Sequence, residues 1–230
     1  MWNRQQVKEQ AKQIMKRNYW KMFVVTLIAS TLTGEKTTII ERVQDFASNN
    51  HSYDAQPMFY SSNFELIFYS FISIASILGI LYTIFIGNVI VVGKNGYFIK
   101  NHDENPGLGE IFSGFKGNYL NVVKIMFLMD LKTLLWLLLF IIPGFVKAYE
   151  YSMIPYLLAE NPNLSADEAF SLSKQMTTGQ KMDLFVLDLS FIGWIILGLI
   201  CCGIGILFVL PYPEATRAEV YLNLKESVEI

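Results

Sequence analysis

Four long apolar stretches limit what this chain can fold into more than any other feature does. They cover residues 20–33, 64–92, 120–145 and 184–212. A helix needs about 20 apolar residues to cross a bilayer, and the second stretch exceeds this with one charge, Glu65. The chain is 17% charged, whereas soluble domains carry about 25% charged residues. We therefore expect an all-α integral membrane protein.

The distribution of charge predicts which side of the membrane each segment faces. Residues 3–21 carry six basic residues and one acid, Glu9. Residues 34–63 carry two basic and four acidic residues, and their second half is rich in Ser and Asn. Basic segments stay on the cytoplasmic side of a plasma membrane. The N-terminus is therefore expected in the cytoplasm, and residues 34–63 are expected to form an exterior loop.

The basic N-terminal segment also has a helical pattern. Val7, Ala11, Ile14 and Met15 recur at the spacing of one helix side. Such a helix is expected to lie on the inner membrane surface and to bind anionic lipid head groups. The basic residues assigned to this lipid contact are Arg4, Lys8, Lys12, Lys16 and Arg17.

Two short motifs repeat at an offset of 56 residues. The sequence from Glu104 to Leu108 recurs in a similar form from Glu160 to Leu164, and Pro155-Tyr156 recurs as Pro211-Tyr212. Each Glu-Asn-Pro precedes a short amphipathic segment and then an apolar run. In the second copy, Ser165 and Glu168 have the spacing of a helix capping box.

Turn residues divide each of the two apolar runs. Pro143-Gly144 interrupts the first run, and residues 202–205 interrupt the second. Each copy therefore indicates a surface helix, a membrane span, a tight turn and a second span.

We expect a single membrane domain over residues 1–230, formed by three such hairpin units. The units are 1–103, which is diverged and contains the exterior loop, 104–159, and 160–230 with a C-terminal tail. This gives about six spans, each pair preceded by a cytoplasmic amphipathic helix, with both termini in the cytoplasm. The alternative is that 184–212 forms one long span, which would place the C-terminus outside.

Small residues line one side of the helix predicted for the second stretch. They are Ser73, Ser76, Gly79, Thr83 and Gly87. Small side chains let helix backbones approach closely in lipid, so this side is expected to pack against another helix. A substrate path along this side is the alternative.

Several charged residues lie within the predicted spans, where charge is costly and often functional. Lys132, Glu150, Glu214 and Arg217 are expected to line a polar cavity that opens to the cytoplasm, with Glu150 close to Lys132. The alternative is that these residues form structural ion pairs that hold the helices together.

Three further intramembrane charges lie at defined depths. Lys124 and Asp188 occupy matching depths in corresponding spans, which predicts a structural ion pair between them. Asp130 is two residues from Lys132 and so points to a different side of the helix. We therefore expect Asp130 to be an acid without a partner from this set.

The sequence contains no motif for a cofactor, a nucleotide or nucleic acid, and no metal-ligand spacing. The favoured function is a non-catalytic accessory or scaffold protein that binds lipid, another membrane protein or a second copy of itself. One alternative is a carrier for a small or amphiphilic solute. A second is a lipid-modifying enzyme, for which Asp183 and Asp188 are the available carboxylates.

Four segments resemble a known bacterial membrane-protein family, catalogued as domain of unknown function 975. They are residues 11–21, 141–149, 151–156 and 183–194. The resemblance extends over nearly the whole chain except the predicted exterior loop. It implies a multi-pass protein of the bacterial plasma membrane. The family has no assigned activity, so the resemblance assigns no functional residues.

Overall fold

The computed structural model describes residues 4–33, 62–200 and 208–228. Within these residues the chain is helical and has no strand, which confirms the all-α class. The elements are α1 (Arg4–Thr33), α2 (Ser62–Tyr82), a π-helical segment (Thr83–Gly87), α3 (Asn88–Lys100), a 3-10 helix (Leu108–Phe115), α4 (Tyr119–Leu139), α5 (Ile141–Tyr151), α6 (Ile154–Glu160), α7 (Ala166–Thr177), α8 (Lys181–Ile200) and α9 (Pro211–Val228). The predicted turn at 202–205 and most of the loop at 34–63 lie outside the described residues.

One helix among the described residues is long and apolar enough to cross a membrane. It runs over Tyr69–Lys100 and has 32 residues, and an 18-residue window within it has a mean hydropathy of 2.2. The π-helical segment joins α2 to α3 within it. Helix α4 has 21 residues but carries Lys124, Asp130 and Lys132. The six-span count and the three-unit repeat remain predictions.

Helix α1 contains both the basic half and the apolar half predicted for the N-terminus. A kink at Asn18, with φ −133° and ψ 25°, separates the two halves. The Asn18 amide donates a buried hydrogen bond of 2.8 Å to Oδ1 of Asn101, just after α3. This bond connects the kink to the end of α3.

The apolar side of the basic half faces protein rather than lipid at Val7 and Ala11, while the lipid contact of its basic residues stays a prediction. Val7 and Ala11 are fully buried, in the same core cluster as Val220 and Leu224 of α9. Helices α1 and α9 are in direct contact. The spacing of apolar residues identifies the side of a helix to be covered, but not the segment that covers it.

The turn between α4 and α5 occurs three residues before the predicted Pro143-Gly144 break. Phe140 is extended, with φ −153° and ψ 132°, and α5 begins at the next residue. Pro143 lies in the first turn of α5, where a proline costs no helical hydrogen bond. An added side chain at Gly144 would overlap Leu137 of α4, so this glycine allows the two helices to pack closely.

The segment predicted as the second span of this unit is divided into α5 and α6. Helix α5 has 11 residues and α6 has seven, and each is shorter than the about 20 residues that a span needs. Pro155 lies in the first turn of α6, where it cannot continue the hydrogen bonding of the preceding helix. The chain is therefore discontinuous beside Glu150.

The predicted capping box at the start of α7 is confirmed. The Ser165 hydroxyl accepts a hydrogen bond of 3.3 Å from the Glu168 N–H, and the Glu168 carboxylate accepts one of 2.9 Å from the Ser165 N–H. Both bonds satisfy N–H groups that have no partner within the helix.

Helix α3 is the central element, and two glycines bring its backbone against the 3-10 helix. Eleven of its 13 residues are buried. An added side chain at Gly93 would overlap the backbone carbonyl of Ile111, and one at Gly114 would overlap the backbone of Val89. Because the obstacle is backbone in both cases, a side-chain rotation cannot make room.

Replacement of Gly93 by Ala should therefore destabilise the protein. We expect Gly93→Ala to lower the free energy of unfolding by about 1–3 kcal/mol, the usual cost of overpacking. Thermal unfolding of the purified chain in detergent measures this. Gly109→Ala is the control, since an added Cβ at Gly109 in the 3-10 helix meets nothing within 4 Å. Equal Tm values for the two variants would contradict the close packing.

Candidate polar cavity

A cavity of about 420 Å³ lies between α3, α4, α5, α6 and α9. Its volume is within the range of small-molecule sites. Four charged side chains are in its wall: Lys94, Asp130, Glu214 and Arg217. The structure therefore places two of the four predicted cavity residues, Glu214 and Arg217, in one cavity.

Lys94 reaches this cavity from α3. Its ammonium lies 2.8 Å from Oε1 of Glu214 on α9, and the two side chains are 5% and 23% exposed. A cation buried this deeply is stable only with a charged partner. Sequence analysis did not identify Lys94 because it follows the apolar stretch that ends at Val92, although α3 continues to Lys100.

Asp188 pairs with Arg217, so the predicted ion pair between Lys124 and Asp188 is wrong. Arg217 donates to both carboxylate oxygens, through Nη2 at 2.8 Å and Nε at 3.3 Å. The Tyr149 hydroxyl donates a further hydrogen bond of 3.0 Å. Lys124 is exposed while the next residue, Ile125, is buried, so its side chain points away from the core.

Asp130 lies in the cavity wall and accepts a hydrogen bond of 2.7 Å from the side-chain amide of Asn88. Asn88 is the first residue of α3, directly after the π-helical segment. Within the described part of the chain, Asp130 forms no ion pair. Asp130 is therefore not without a partner, as the sequence predicted it to be, but its partner is the neutral Asn88.

Lys132 and Glu150 lie apart from the cavity, and the predicted proximity of the two is wrong. The Lys132 ammonium is 3.7 Å from the centre of the Phe170 ring. Glu150 is paired with Lys147 at 2.7 Å and with Lys181 at 2.6 Å. The three-residue spacing of Lys147 and Glu150 on one helix could have indicated the first pair.

The charges in the wall favour a cationic or hydrogen-bond-donating ligand. The positive charge of Lys94 is balanced by Glu214, and that of Arg217 by Asp188. Asp130 remains as a carboxylate with a neutral partner. No group of three or more His, Cys, Asp or Glu able to hold a metal ion occurs in residues 4–33, 62–200 and 208–228.

Polar contacts near its C-terminal end hold α9, which carries Glu214 and Arg217 into the wall. His102 Nδ1 lies 2.9 Å from the buried Glu219 carboxylate. Glu160 accepts hydrogen bonds of 2.7 Å from Tyr221 and from Lys225.

The predicted lipid-binding residues of α1 have different partners. Arg4 lies 3.7 Å from Asp183, and Lys8 donates to the Ser190 hydroxyl at 2.6 Å. Lys12 pairs with Glu9 at 2.8 Å.

The remaining two predicted lipid-binding residues, Arg17 and Lys16, differ in their contacts. Arg17 donates to backbone carbonyls at Asn101, His102 and Glu104, at 2.8–3.3 Å, just beyond the end of α3. Those carbonyl groups have no helical partner. Lys16 is exposed.

Residues 135–228 match the family described as Protein of unknown function (DUF975). Over this range the chain is similar to that family. The match contains three of the four segments that carry the resemblance, residues 141–149, 151–156 and 183–194, and supports it there. It contains Asp188, Glu214 and Arg217 but not Lys94 or Asp130. No curated protein and no solved structure shows significant similarity to the chain.

The contact between His102 and Glu219 should make stability depend on pH. Burial and the nearby positive charge of Arg17 lower the pKa of His102. The hydrogen bond to Glu219 and the negative charges of Glu219 and Asp103 raise it. The net effect is a pKa of His102 above its ordinary value. The folded state therefore binds this proton more tightly than the unfolded state. The resulting stabilisation is complete below the ordinary pKa and is lost as pH rises through the raised pKa.

We expect the difference in Tm between wild type and His102→Gln to be largest near pH 6 or below and to shrink toward about pH 8. Thermal unfolding in detergent across this range measures it. The control is Lys225→Gln, which removes a contact of α9 with Glu160 that involves no histidine, so its effect should not follow the same pH profile. A pH-independent difference for His102→Gln would contradict the assignment.

Proposed function

We propose that this protein is a non-catalytic accessory or scaffold protein of the cell membrane, which binds another membrane protein or lipid. The observation that carries the proposal is the uncovered surface of α2. Phe71, Ile77 and Ile80 point in different directions around the helix and are 71%, 58% and 61% exposed. A large exposed apolar surface indicates contact with a membrane or a partner.

The proposed membrane arrangement is the three-unit, six-span bundle with both termini in the cytoplasm. The positions of the repeated motifs support it. Pro155 and Pro211 both lie in the first turn of a helix, α6 and α9. The two Glu-Asn-Pro sequences begin at Glu104 and at Glu160. Each connects the end of one helix to a short helix that follows it.

The small-residue side of α2 is the proposed contact for a partner protein. Ser73, Ser76, Gly79 and Thr83 are exposed, so the expected packing of this side does not occur within the described chain. An added Cβ at Gly79 meets nothing within 4 Å. Only Gly87, at the end of the π-helical segment, is buried among these five residues.

Gly79→Leu tests this contact without disturbing the folded chain. Native mass spectrometry of the protein extracted into lipid nanodiscs should show a stoichiometric protein partner with wild type and its loss with Gly79→Leu. The control is Gly193→Leu in α8, where an added Cβ also meets nothing within 4 Å. A lone chain in the wild-type sample, or equal binding by both variants, would contradict the scaffold proposal.

A carrier for a small cationic solute is the second candidate, and Asp130 favours it. This carboxylate lies in a 420 Å³ cavity and is hydrogen-bonded to the neutral Asn88. The cavity also borders the break between α5 and α6, and discontinuous helices form the binding sites of many transporters.

Asp130→Asn should abolish solute binding and leave the fold intact. An asparagine oxygen can still accept the hydrogen bond from Asn88, so Tm should change little while the negative charge is removed. Flux of small organic cations into proteoliposomes measures the activity. The control is Asp167→Asn at the exposed start of α7. Wild-type flux without any dependence on Asp130, or no flux above empty liposomes, would refute the carrier.

A further inference from the structure

A second, separate cavity lies between α1, α8 and the start of α9. Its volume is about 500 Å³, and its wall is almost entirely apolar. Four aromatic side chains contribute to it: Tyr19, Trp194, Phe208 and Tyr212. Trp194 and Phe208 are about half exposed, so the groove presents a wide apolar surface at the outside of the molecule.

Aromatic contacts hold this groove open. Phe208 stacks on Phe23 with ring centres 5.2 Å apart, and the Tyr19 hydroxyl donates to the Phe208 carbonyl at 3.0 Å. Tyr212 packs edge-on against Trp194, at 6.4 Å. A preformed groove binds an apolar ligand without a large cost in ordering its side chains.

The α1 side of the groove adds positive charge to this apolar wall. The groove residues of α1 lie along a single side of the helix, at positions i, i+3, i+4 and i+7. They are Lys12, Met15, Lys16 and Tyr19. The groove therefore combines one long apolar surface with two ammonium groups that reach solvent.

Of the two lysines in the groove, Lys16 is the one whose charge is available to a ligand. In the part of the chain that the structure describes, Lys12 pairs with Glu9 and Arg17 donates to backbone carbonyls, whereas Lys16 forms neither an ion pair nor a hydrogen bond. An apolar groove with an available cation at its side is complementary to an anionic amphiphile.

We propose that this groove binds one acyl chain of an anionic phospholipid, with the head-group phosphate beside Lys16. The aromatic wall takes the hydrocarbon, since it offers few polar groups to any other ligand. The lysine stems follow the apolar surface while their ammonium groups remain at the polar interface. The inference rests on the proposed function, because a phospholipid chain reaches the groove only from within a membrane.

The charge reversal Lys16→Glu tests the head-group contact. The full chain is reconstituted in nanodiscs of phosphatidylcholine and phosphatidylglycerol, and native mass spectrometry measures which lipid it retains after release. Wild type should retain phosphatidylglycerol selectively, and Lys16→Glu should lower this selectivity about fivefold or more. The control is Lys174→Glu on the exposed side of α7, which should retain wild-type selectivity.

A second variant tests the chain-binding wall. Val209 is half-buried in the groove, so Val209→Trp should fill it and reduce photo-crosslinking to a phosphatidylglycerol that carries a diazirine on its acyl chain. Ile141→Trp is the control, since Ile141 is 70% exposed and lies outside the groove.

Extraction with alkaline carbonate separates the two proposals. Release of the chain from membranes would overturn both the membrane arrangement and the lipid site. A chain that stays in the membrane, but shows equal lipid selectivity for wild type and Lys16→Glu, would overturn only the lipid site. The lipid site is supported if Lys16→Glu loses lipid selectivity while Lys174→Glu keeps it, and if Val209→Trp loses crosslinking while Ile141→Trp keeps it.

Discussion

Lys94 carries a positive charge into α3, in which eleven of 13 residues are buried, and the arrangement around the polar cavity depends on how that charge is paired. A buried cation without a partner would cost far more than a folded domain can tolerate. Its carboxylate partner, Glu214, belongs to α9, so α9 has to pass α3 at this point. Three residues later, Arg217 of the same helix reaches Asp188 on α8. Two ion pairs thereby fix α9 against two other helices, and the polar cavity lies beside them.

The residue before Lys94 places a second constraint on the same helix. Gly93 brings the α3 backbone against Ile111 of the 3-10 helix, while Lys94 reaches α9. A single turn of α3 therefore carries both the closest backbone packing and a buried ion pair. Because packed interiors leave little free volume, neither contact can shift without moving the other.

Three buried polar side chains lie where helices are interrupted. Asn88 follows the π-helical segment and binds Asp130, Asn18 lies at the kink of α1, and Glu150 lies next to the break between α5 and α6. An interrupted helix leaves backbone groups that need other partners, and such places often serve function. The groove beside α1 is different in kind, since its wall is aromatic and its charge comes from exposed lysines.

The sequence by itself determined the features that depend on neighbouring residues. These are the all-α class, the two halves of α1, and the capping box of Ser165 and Glu168. Each follows from residues within a few positions of one another. Only the tertiary structure decided which distant side chains meet. Asp188 binds Arg217 rather than Lys124, and the apolar side of α1 is covered by α9. Charge and hydrophobicity show that a side chain needs a partner. The sequence contains several residues that could serve as this partner, and the packing of the helices determines which of them it contacts.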